Sequence, residues 1–304
     1  MDAPALRPVP KFADPRIWGP FLLASLIWGS TWLVIKDQIS VVPPGWTITY
    51  RFSIAVVGML ILLLIRRESL RIPWSAWPIV LLVGICQFTL NFQFVYRAEL
   101  HMTSGIVALF VALALIPNAI LARLMLDEPI TRRFTIGSLI AIAGLAMLFG
   151  YEYRHASNGI SVALGSAFAV LAMIAASFAS VVQATRRAHA YPFLPMLTWA
   201  IIVGTMVDAL LAFLLDGPPV WDPRPAYAAG IGYLGLVGTV ATFPIYFTLI
   251  RRIGAGRAAY VNIVVPVLAM LLSTLFEGFL WTPLAIGGSV LAMIGLFIAM
   301  RARG

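Results

Sequence analysis

Apolar stretches about as long as the ~20 residues that a helix needs to cross a bilayer follow one another along the chain. They cover 17–35, 46–65, 76–96, 102–124, 133–150, 160–183, 193–215, 226–250, 258–276 and 282–300. Charged residues make up only 11% of the chain, against about 25% in a soluble domain. In lipid, backbone polar groups must be satisfied within the segment, so such stretches cross as helices. The sequence therefore predicts an all-α integral membrane protein with ten transmembrane helices.

The distribution of Lys and Arg predicts the orientation of these helices. If the N-terminus is cytoplasmic, most cationic residues outside the apolar stretches lie on the cytoplasmic side, and only Lys36, Arg97, Arg154 and Arg224 lie outside. This asymmetry follows the positive-inside rule. We expect cytoplasmic N- and C-termini, a short cytoplasmic tail at 1–16, and a bacterial-type inner (cytoplasmic) membrane. The net charge of +9 is spread over short loops, so it does not indicate a nucleic-acid partner.

Two halves of the chain repeat one another. Pro117 precedes Glu128 by 11 residues, and Pro266 precedes Glu277 by 11 residues. After each pair, two glycines stand seven residues apart: Gly137 and Gly144, then Gly288 and Gly295. We expect these glycines to allow close helix packing. The halves would be 17–150 and 160–300 with five helices each. Because five is odd, the second half enters the membrane inverted, as in many transporters.

Several motifs carry a resemblance to a known family. They are SLIWGSTWLVIK in the first stretch, TYRF at 49–52, Leu-Asp-Glu-Pro after the fourth stretch, and a Gly-rich last stretch. From Ile17 to Met300 the chain resembles the EamA family of the drug/metabolite transporter superfamily. The resemblance implies two inverted five-helix repeats around a cavity bordered mainly by spans one, three, four, six, eight and nine. It also implies export of amino acids or related metabolites. Span six departs from the pattern, with Ala175-Ala176 where span one has Trp-Gly.

Candidate substrate-binding residues are polar or aromatic side chains deep within apolar stretches. Gln87 and Asn91 lie four residues apart on one helix face, and aromatic residues including Tyr96 surround them. Amides both donate and accept hydrogen bonds, so they suit a zwitterionic or neutral polar solute. The alternative is that they only join helices. Trp28 lies mid-span and is expected to form a cavity wall rather than an interfacial anchor.

A second group of candidates belongs to spans eight and nine. The predicted substrate-binding residues there are Thr242, Tyr246, Tyr260 and Asn262. Proline removes a backbone donor and clashes with the preceding turn. We therefore predict helix breaks or gating positions at Pro117, Pro244 and Pro266, with a simple packing kink as the alternative.

Charged residues within the stretches are few. Arg51 matches the arginine of the span-two motif of the resembled family, where a structural role is expected, and its side chain could extend to the outer interface. Asp208 is the only acid well inside a stretch. A structural pairing is preferred for it over a role as proton or cation partner. Because the predicted cavity spans lack a midplane carboxylate, a built-in proton relay is not expected.

These features favour a membrane transporter over an enzyme. There are 3 His and 1 Cys, so no metal or cofactor is expected. No Walker-type motif is present either. The interpretation is an exporter of small metabolites, most simply amino acids, that works by alternating access. A broad-specificity exporter of drugs or organic cations, or a facilitator, remains the alternative because aromatic side chains can bind cations. The expected partners are a small-molecule substrate and the lipid bilayer; the oligomeric state stays open.

Overall fold

A computed structural model describes residues 15–155, 159–253 and 261–301, and the regular elements in these ranges are helical. The α-helices are α1 Pro15–Gln38, α2 Pro44–Arg66, α3 Trp77–Val83, α4 Asn91–Glu99, α5 Ser104–Ala112, α6 Leu115–Leu126, α7 Arg132–His155, α8 Gly159–Ala184, α9 Arg186–His189, α10 Phe193–Asp216, α11 Pro225–Gly232, α12 Thr242–Ile253, α13 Val261–Phe276 and α14 Pro283–Arg301. A short 3-10 helix covers Trp74–Ala76, and π-helices cover Gly84–Leu90 (π1) and Tyr233–Ala241 (π2). Tyr260 and residues 1–14 of the expected tail lie outside the described residues.

Eight helical stretches within the described ranges are long and apolar enough to cross a membrane. They are Ile17–Gln38, Pro44–Arg66, Trp74–Glu99, Ser104–Leu126, Arg132–Tyr151, Gly159–Ala184, Phe193–Asp216 and Pro225–Tyr246. The apolar helices Val261–Phe276 and Pro283–Ala299 are shorter. The chain is a multi-pass membrane protein. The third stretch ends at Glu99, three residues beyond the predicted end at residue 96.

The three prolines stand in different backbone settings. Helix α5 ends at Ala112 and α6 begins at Leu115, so Pro117 lies in the first turn after an interruption. Pro244 likewise lies in the first turn of α12, directly after π2. Around Pro266 the expected break does not occur, because α13 runs through it. A helix interior tolerates the loss of one backbone hydrogen bond when the ring is accommodated by a kink.

The two π-helices occupy matching places in the chain, in the third and eighth apolar stretches. Each packs against a helix of the other half. A Cβ on Gly84 of π1 would stand 2.9 Å from the carbonyl oxygen of Ala200, and one on Gly235 of π2 would stand 2.8 Å from that of Arg51. Only glycine allows backbones this close. The third stretch is thereby held on α10, and the eighth on α2.

Glycines also join α7 to α14, the helix pair with the most extensive contact. A Cβ on Gly144 would meet the Gly288 carbonyl oxygen at 2.6 Å, and one on Gly137 would meet that of Gly295 at 2.7 Å. The seven-residue glycine spacing therefore brings two backbones together over two helical turns, which is how small residues stabilise helix pairs in membranes.

Candidate functional site

Arg51 of α2 points into the protein and is 2% exposed. Its Nη1 donates to the Tyr96 hydroxyl across 3.2 Å, and its Nη2 donates to Thr239 Oγ1 across 3.4 Å. Its Cζ lies 4.6 Å from the centre of the Phe92 ring. Arg51 does not extend to the outer interface, because these partners on α4 and π2 hold the guanidinium inside.

The partners of the Arg51 guanidinium in the described ranges are neutral groups. Arg51 forms no ion pair with any carboxylate in the described ranges, and its Nε has no described hydrogen-bond partner. Burying a cation without a counter-ion is costly, while a phenol oxygen and an aromatic face recover part of the cost.

Trp28 lies beside this centre, on α1. Its Nε1 donates to the carbonyl oxygen of Gly238 in π2 across 3.2 Å. Its ring lies 4.9 Å from that of Tyr246 and 5.5 Å from that of Phe243. These contacts join α1 to π2 and α12. The predicted residues Trp28 and Tyr246 are thus brought together into an aromatic wall.

Two threonines use the irregular backbone of π2. Thr239 Oγ1 donates to the Leu234 carbonyl across 2.9 Å, and Thr242 Oγ1 donates to the Val237 carbonyl across 2.6 Å. Both bonds reach five residues back, which is the spacing of a π-turn. The hydroxyl proton of Thr242, a predicted substrate-binding residue, is therefore directed to the backbone, so only its oxygen lone pairs remain for other partners.

The third stretch divides its polar side chains between different neighbours. Asn91 is buried, and its Oδ1 has no described partner, while Gln87 is half-buried. Gln93 instead faces α10, where its Nε2 donates to Asp208 Oδ1 across 2.9 Å. Arg97 donates to Gln93 Oε1 and, across 3.1 Å, to the Gln93 carbonyl. Asp208 thus has the pairing partner that was expected of it.

Asn262 lies half-buried in the first turn of α13.

A charged cluster that the sequence analysis missed lies at the end of the third stretch. Glu99 is fully buried, and neither carboxyl oxygen has a described hydrogen-bond partner. The Lys36 ammonium donates to the main-chain carbonyls of Glu99 and, across 2.9 Å, of Met102. The third stretch therefore carries a buried carboxyl group at its end, which leaves the prediction of no midplane carboxylate unchanged. The signal was hidden because the predicted stretch stopped at residue 96, which placed Glu99 in a loop.

Glu277 connects this cluster to the other half of the chain. Its carboxylate accepts a hydrogen bond from the Ser104 amide across 2.9 Å and another from the Ser104 hydroxyl. A carboxylate at a helix N-terminus satisfies amides that have no partner within the helix. The residue after α13 therefore caps α5, and we name the Ser104–Glu277 pair the latch.

His101 borders the cluster in the loop between α4 and α5. Its Nδ1 lies 2.7 Å from Ser161 Oγ on α8. Burial lowers the pKa of His101, and the positive charge of Lys36 lowers it further. The ring is therefore biased toward its neutral form.

The arrangement joins buried polar groups from several helices. Within the described ranges, no three His, Cys, Asp or Glu side chains are placed to hold a metal ion. Buried polar groups joined across helices, irregular helices at matching places in the chain, and apolar outer surfaces define a polytopic membrane protein with a polar interior. Such interiors mark solute and ion pathways in membranes.

The sequence profile of the EamA-like transporter family matches residues 18–150 and 163–301. The chain belongs to this family. A solved crystal structure superposes on it with a TM-score of 0.69 at 19% identity, covering 94% of this chain and 96% of the other, which establishes the shared fold.

Three relatives of known sequence carry transporter names. An uncharacterized transporter of Archaeoglobus fulgidus is 24% identical over 94% of this chain and 99% of its own length. The uncharacterized transporter YdfC of Bacillus subtilis is 27% identical over 89% of this chain and 86% of its own. The uncharacterized inner membrane transporter YedA of Escherichia coli is 28% identical over 85% of this chain and 82% of its own.

Proposed function

We propose that this protein exports amino acids or closely related metabolites by alternating access through a central cavity. The observation that most supports this proposal is the buried positive charge of Arg51. Its guanidinium donates to Tyr96 and Thr239 and has no described carboxylate partner. A solute with a carboxylate supplies the missing charge. Trp28 and Tyr246 offer an apolar wall for its side chain, and Gln87 and Asn91 offer amides for its ammonium or polar groups.

The buried positive charge of Arg51 also makes a drug or organic cation a less favourable substrate than a solute with a carboxylate. An organic cation would approach a fixed positive charge at Arg51, and bringing like charges together inside a low-dielectric interior is unfavourable. The aromatic rings alone would favour such a cation. The guanidinium already lies 4.6 Å from the Phe92 ring centre, however, so that face is in use.

Alternating access in this proposal rests on two inverted halves. The shorter helices α13 and α14 would complete ten spans, five in each half. Support comes from the two separate stretches that match the family profile, from the π-helices, and from the reciprocal contacts of Gly84 with Ala200 and of Gly235 with Arg51. The interruption before Pro117 and the junction at Pro244 are the proposed flexing points. Inverted repeats move by exchanging their conformations.

The proposed location is a bacterial inner membrane, with both termini cytoplasmic. The Lys and Arg asymmetry supports this orientation, and a relative from Escherichia coli carries the name inner membrane transporter. The latch, Glu99 and Lys36 would then lie at the periplasmic end. A small-molecule substrate and lipid are the proposed partners.

Efflux from proteoliposomes tests the proposal. Vesicles preloaded with a panel of radiolabelled amino acids should lose several neutral amino acids through the wild type, and more slowly through Gln87→Ala and Asn91→Ala. Thr205→Ala is the matched control, because that hydroxyl bonds its own helix at the Ile201 carbonyl. Efflux of a lipophilic cation but of no amino acid would overturn the substrate class. Wild-type rates in both amide variants would instead identify Gln87 and Asn91 as helix-joining residues.

A further inference from the structure

We propose that a surface of five exposed arginines, contributed by both halves of the chain, binds the headgroup of an anionic phospholipid. This lipid site would exist whatever solute the protein moves. We name the surface the arginine platform. It consists of Arg66 and Arg67 at the end of α2, Arg71 in the following segment, and Arg186 and Arg187 in α9.

The two halves of the chain meet at the arginine platform through two hydrogen bonds. Arg187 Nη2 donates to the Ser75 carbonyl oxygen across 3.2 Å, and Trp199 Nε1 donates to the Leu70 carbonyl oxygen across 2.9 Å. Arg71 follows Leu70 directly and precedes Ser75 by four residues, so it lies between these two contacts along the chain. The segment after α2 therefore rests on the second half and carries its arginines to those of α9.

The arginine platform has positive charge that described acids do not neutralise. None of its five arginines forms an ion pair with a carboxylate in the described ranges. Glu68 is the one acid over 66–76, and 184–192 contains none. A guanidinium binds the oxygens of a phosphate bidentately, and clusters of arginine at the end of membrane helices bind anionic lipid headgroups. A phosphate with a net negative charge therefore complements this surface.

Apolar side chains beside the arginine platform indicate a phospholipid rather than a soluble phosphate. Leu64 and Ile65, directly before the first arginine, are 77% and 74% exposed, and Trp74 is 87% exposed. The Trp74 ring centre lies 6.2 Å from that of Trp77, which lies 5.1 Å from that of Trp199. Tryptophan is enriched at the level of the headgroups. Surfaces for an acyl chain and for a phosphate thus adjoin, as they do in a phospholipid.

A second group of arginines shows that the arginine platform is more than the usual excess of positive charge on one side of a membrane protein. Arg132 and Arg133 are also exposed, at the start of α7. Asp127 and Glu128 stand just before them, however, and no tryptophan occurs between residues 78 and 198. Both groups follow the positive-inside rule, but only the platform combines excess positive charge with exposed aromatic rings. Arg132 and Arg133 therefore provide the matched control.

A headgroup on the arginine platform would contact arginines of both halves. It would add an ionic link to the two hydrogen bonds that already join the segment after α2 to α9 and α10. The unfolded chain does not assemble this surface. Binding should therefore stabilise the folded protein by mass action, and the stabilisation should grow with lipid concentration.

Thermal unfolding of the full chain in detergent with added lipid tests the site. Phosphatidylglycerol should raise the thermal midpoint more than phosphatidylcholine with the same acyl chains, because only the first has a net negative headgroup. The double variant Arg66→Gln with Arg71→Gln should need about fivefold more phosphatidylglycerol for each arginine removed. Arg132→Gln with Arg133→Gln loses the same charge and should respond like the wild type. Glycerol 1-phosphate, which lacks acyl chains, should not raise the midpoint at the same concentrations.

Arg186→Gln covers the case in which the first double variant does not fold. It changes one exposed side chain in the second half and should weaken the response to phosphatidylglycerol about fivefold. Equal responses to the two lipids, or an unchanged response in Arg186→Gln, would overturn the inference. An equal loss in the Arg132 and Arg133 variant would show that total charge attracts the lipid and would also overturn it. A rise with glycerol 1-phosphate equal to that with lipid would overturn the assignment to a phospholipid. Because transport is not measured, these outcomes do not depend on the proposed function.

Discussion

Arg51 donates a hydrogen bond to the Tyr96 hydroxyl across 3.2 Å, and both side chains are almost fully removed from solvent. The bond joins α2 to the third stretch at the point where π2 also contributes Thr239. A guanidinium is rigid and planar, so its orientation is fixed by such partners. The pair therefore holds a preorganised positive charge inside the bundle.

Replacement of Arg51 by lysine should impair transport while the protein still folds. Lysine keeps the positive charge but loses the planar fork that reaches Tyr96 and Thr239 together. A hydrogen bond to a charged group contributes about 1.5–3 kcal/mol, so apparent affinity for a carboxylate solute should fall roughly tenfold to a hundredfold. The measurement is the concentration dependence of amino-acid exchange in proteoliposomes.

Arg123→Lys provides the matched control for this substitution. Arg123 is exposed on α6 and donates to the Asp127 carbonyl at 3.3 Å, so its replacement should leave the exchange curve unchanged. Decarboxylated analogues of the same amino acids test whether Arg51 acts by binding the carboxylate of the solute. Equal loss for amino acids and for their amines would show that Arg51 acts on the fold rather than on the carboxylate.

Gly144→Leu should destabilise the α7–α14 pair. The new side chain would overlap the backbone of α14 at Gly288 and Ala292. Overpacking typically costs about 1–3 kcal/mol, and here rigid backbone rather than a flexible side chain must move. The midpoint of thermal unfolding in detergent should fall.

Gly150→Leu is the internal comparison, because a Cβ at Gly150 on the same helix meets nothing within 4 Å. It should leave the midpoint unchanged. The glycine packing would be unimportant if both leucine variants melted at the wild-type temperature.

His101 should make stability depend on pH. Its pKa in the folded protein is lowered from 6.5, mainly by burial. Below pH 6.5 the histidine is therefore protonated in the unfolded chain while it is still neutral in the folded chain. The free energy of unfolding then falls as the pH drops through 6.5, and it continues to fall toward the folded-state pKa. The thermal midpoint of the wild type, measured from neutral pH downward, should decline more steeply than that of His101→Gln.

His189→Gln serves as the control for the loss of a histidine. His189 is exposed on α9 and touches neither Ser161 nor the Lys36 region. Parallel pH profiles for the wild type and His101→Gln would contradict the assignment of the slope to His101.

Much of this architecture could be predicted from the sequence, because its causes are local. The length of each apolar stretch determines where a helix can cross the membrane. The seven-residue spacing of the glycines predicts which faces of α7 and α14 can approach closely. The interruption before Pro117 also follows from one residue's chemistry. Trp28 and Tyr246 were predicted separately from their depth, and the fold brings their rings to 4.9 Å.

Other features depend on contacts that no local pattern contains. The π-helix at Gly84–Leu90 includes no proline, and its packing on Ala200 belongs to a helix more than a hundred residues away. Glu99 was assigned to a loop because charge at the edge of an apolar stretch is ordinarily solvated. Its burial results from other helices packed against α4, chiefly α8. The inward direction of Arg51 likewise depends on partners from two other helices.

Gln93 and Asp208 should behave as a structural pair rather than as part of the transport site. Gln93→Leu would leave the fully buried Asp208 without its described donor, and an unsatisfied buried polar group costs about 1–3 kcal/mol, more when charged. Gln93→Leu should therefore lower the thermal midpoint more than Asp208→Asn, which keeps a polar partner for Gln93. The double variant Gln93→Leu with Asp208→Leu should recover part of the loss, because apolar residues can replace a buried polar pair at little cost. Amino-acid exchange by the folded fraction should match the wild type in all three variants. Abolished exchange in well-folded Asp208→Asn would instead place Asp208 on the solute or ion pathway.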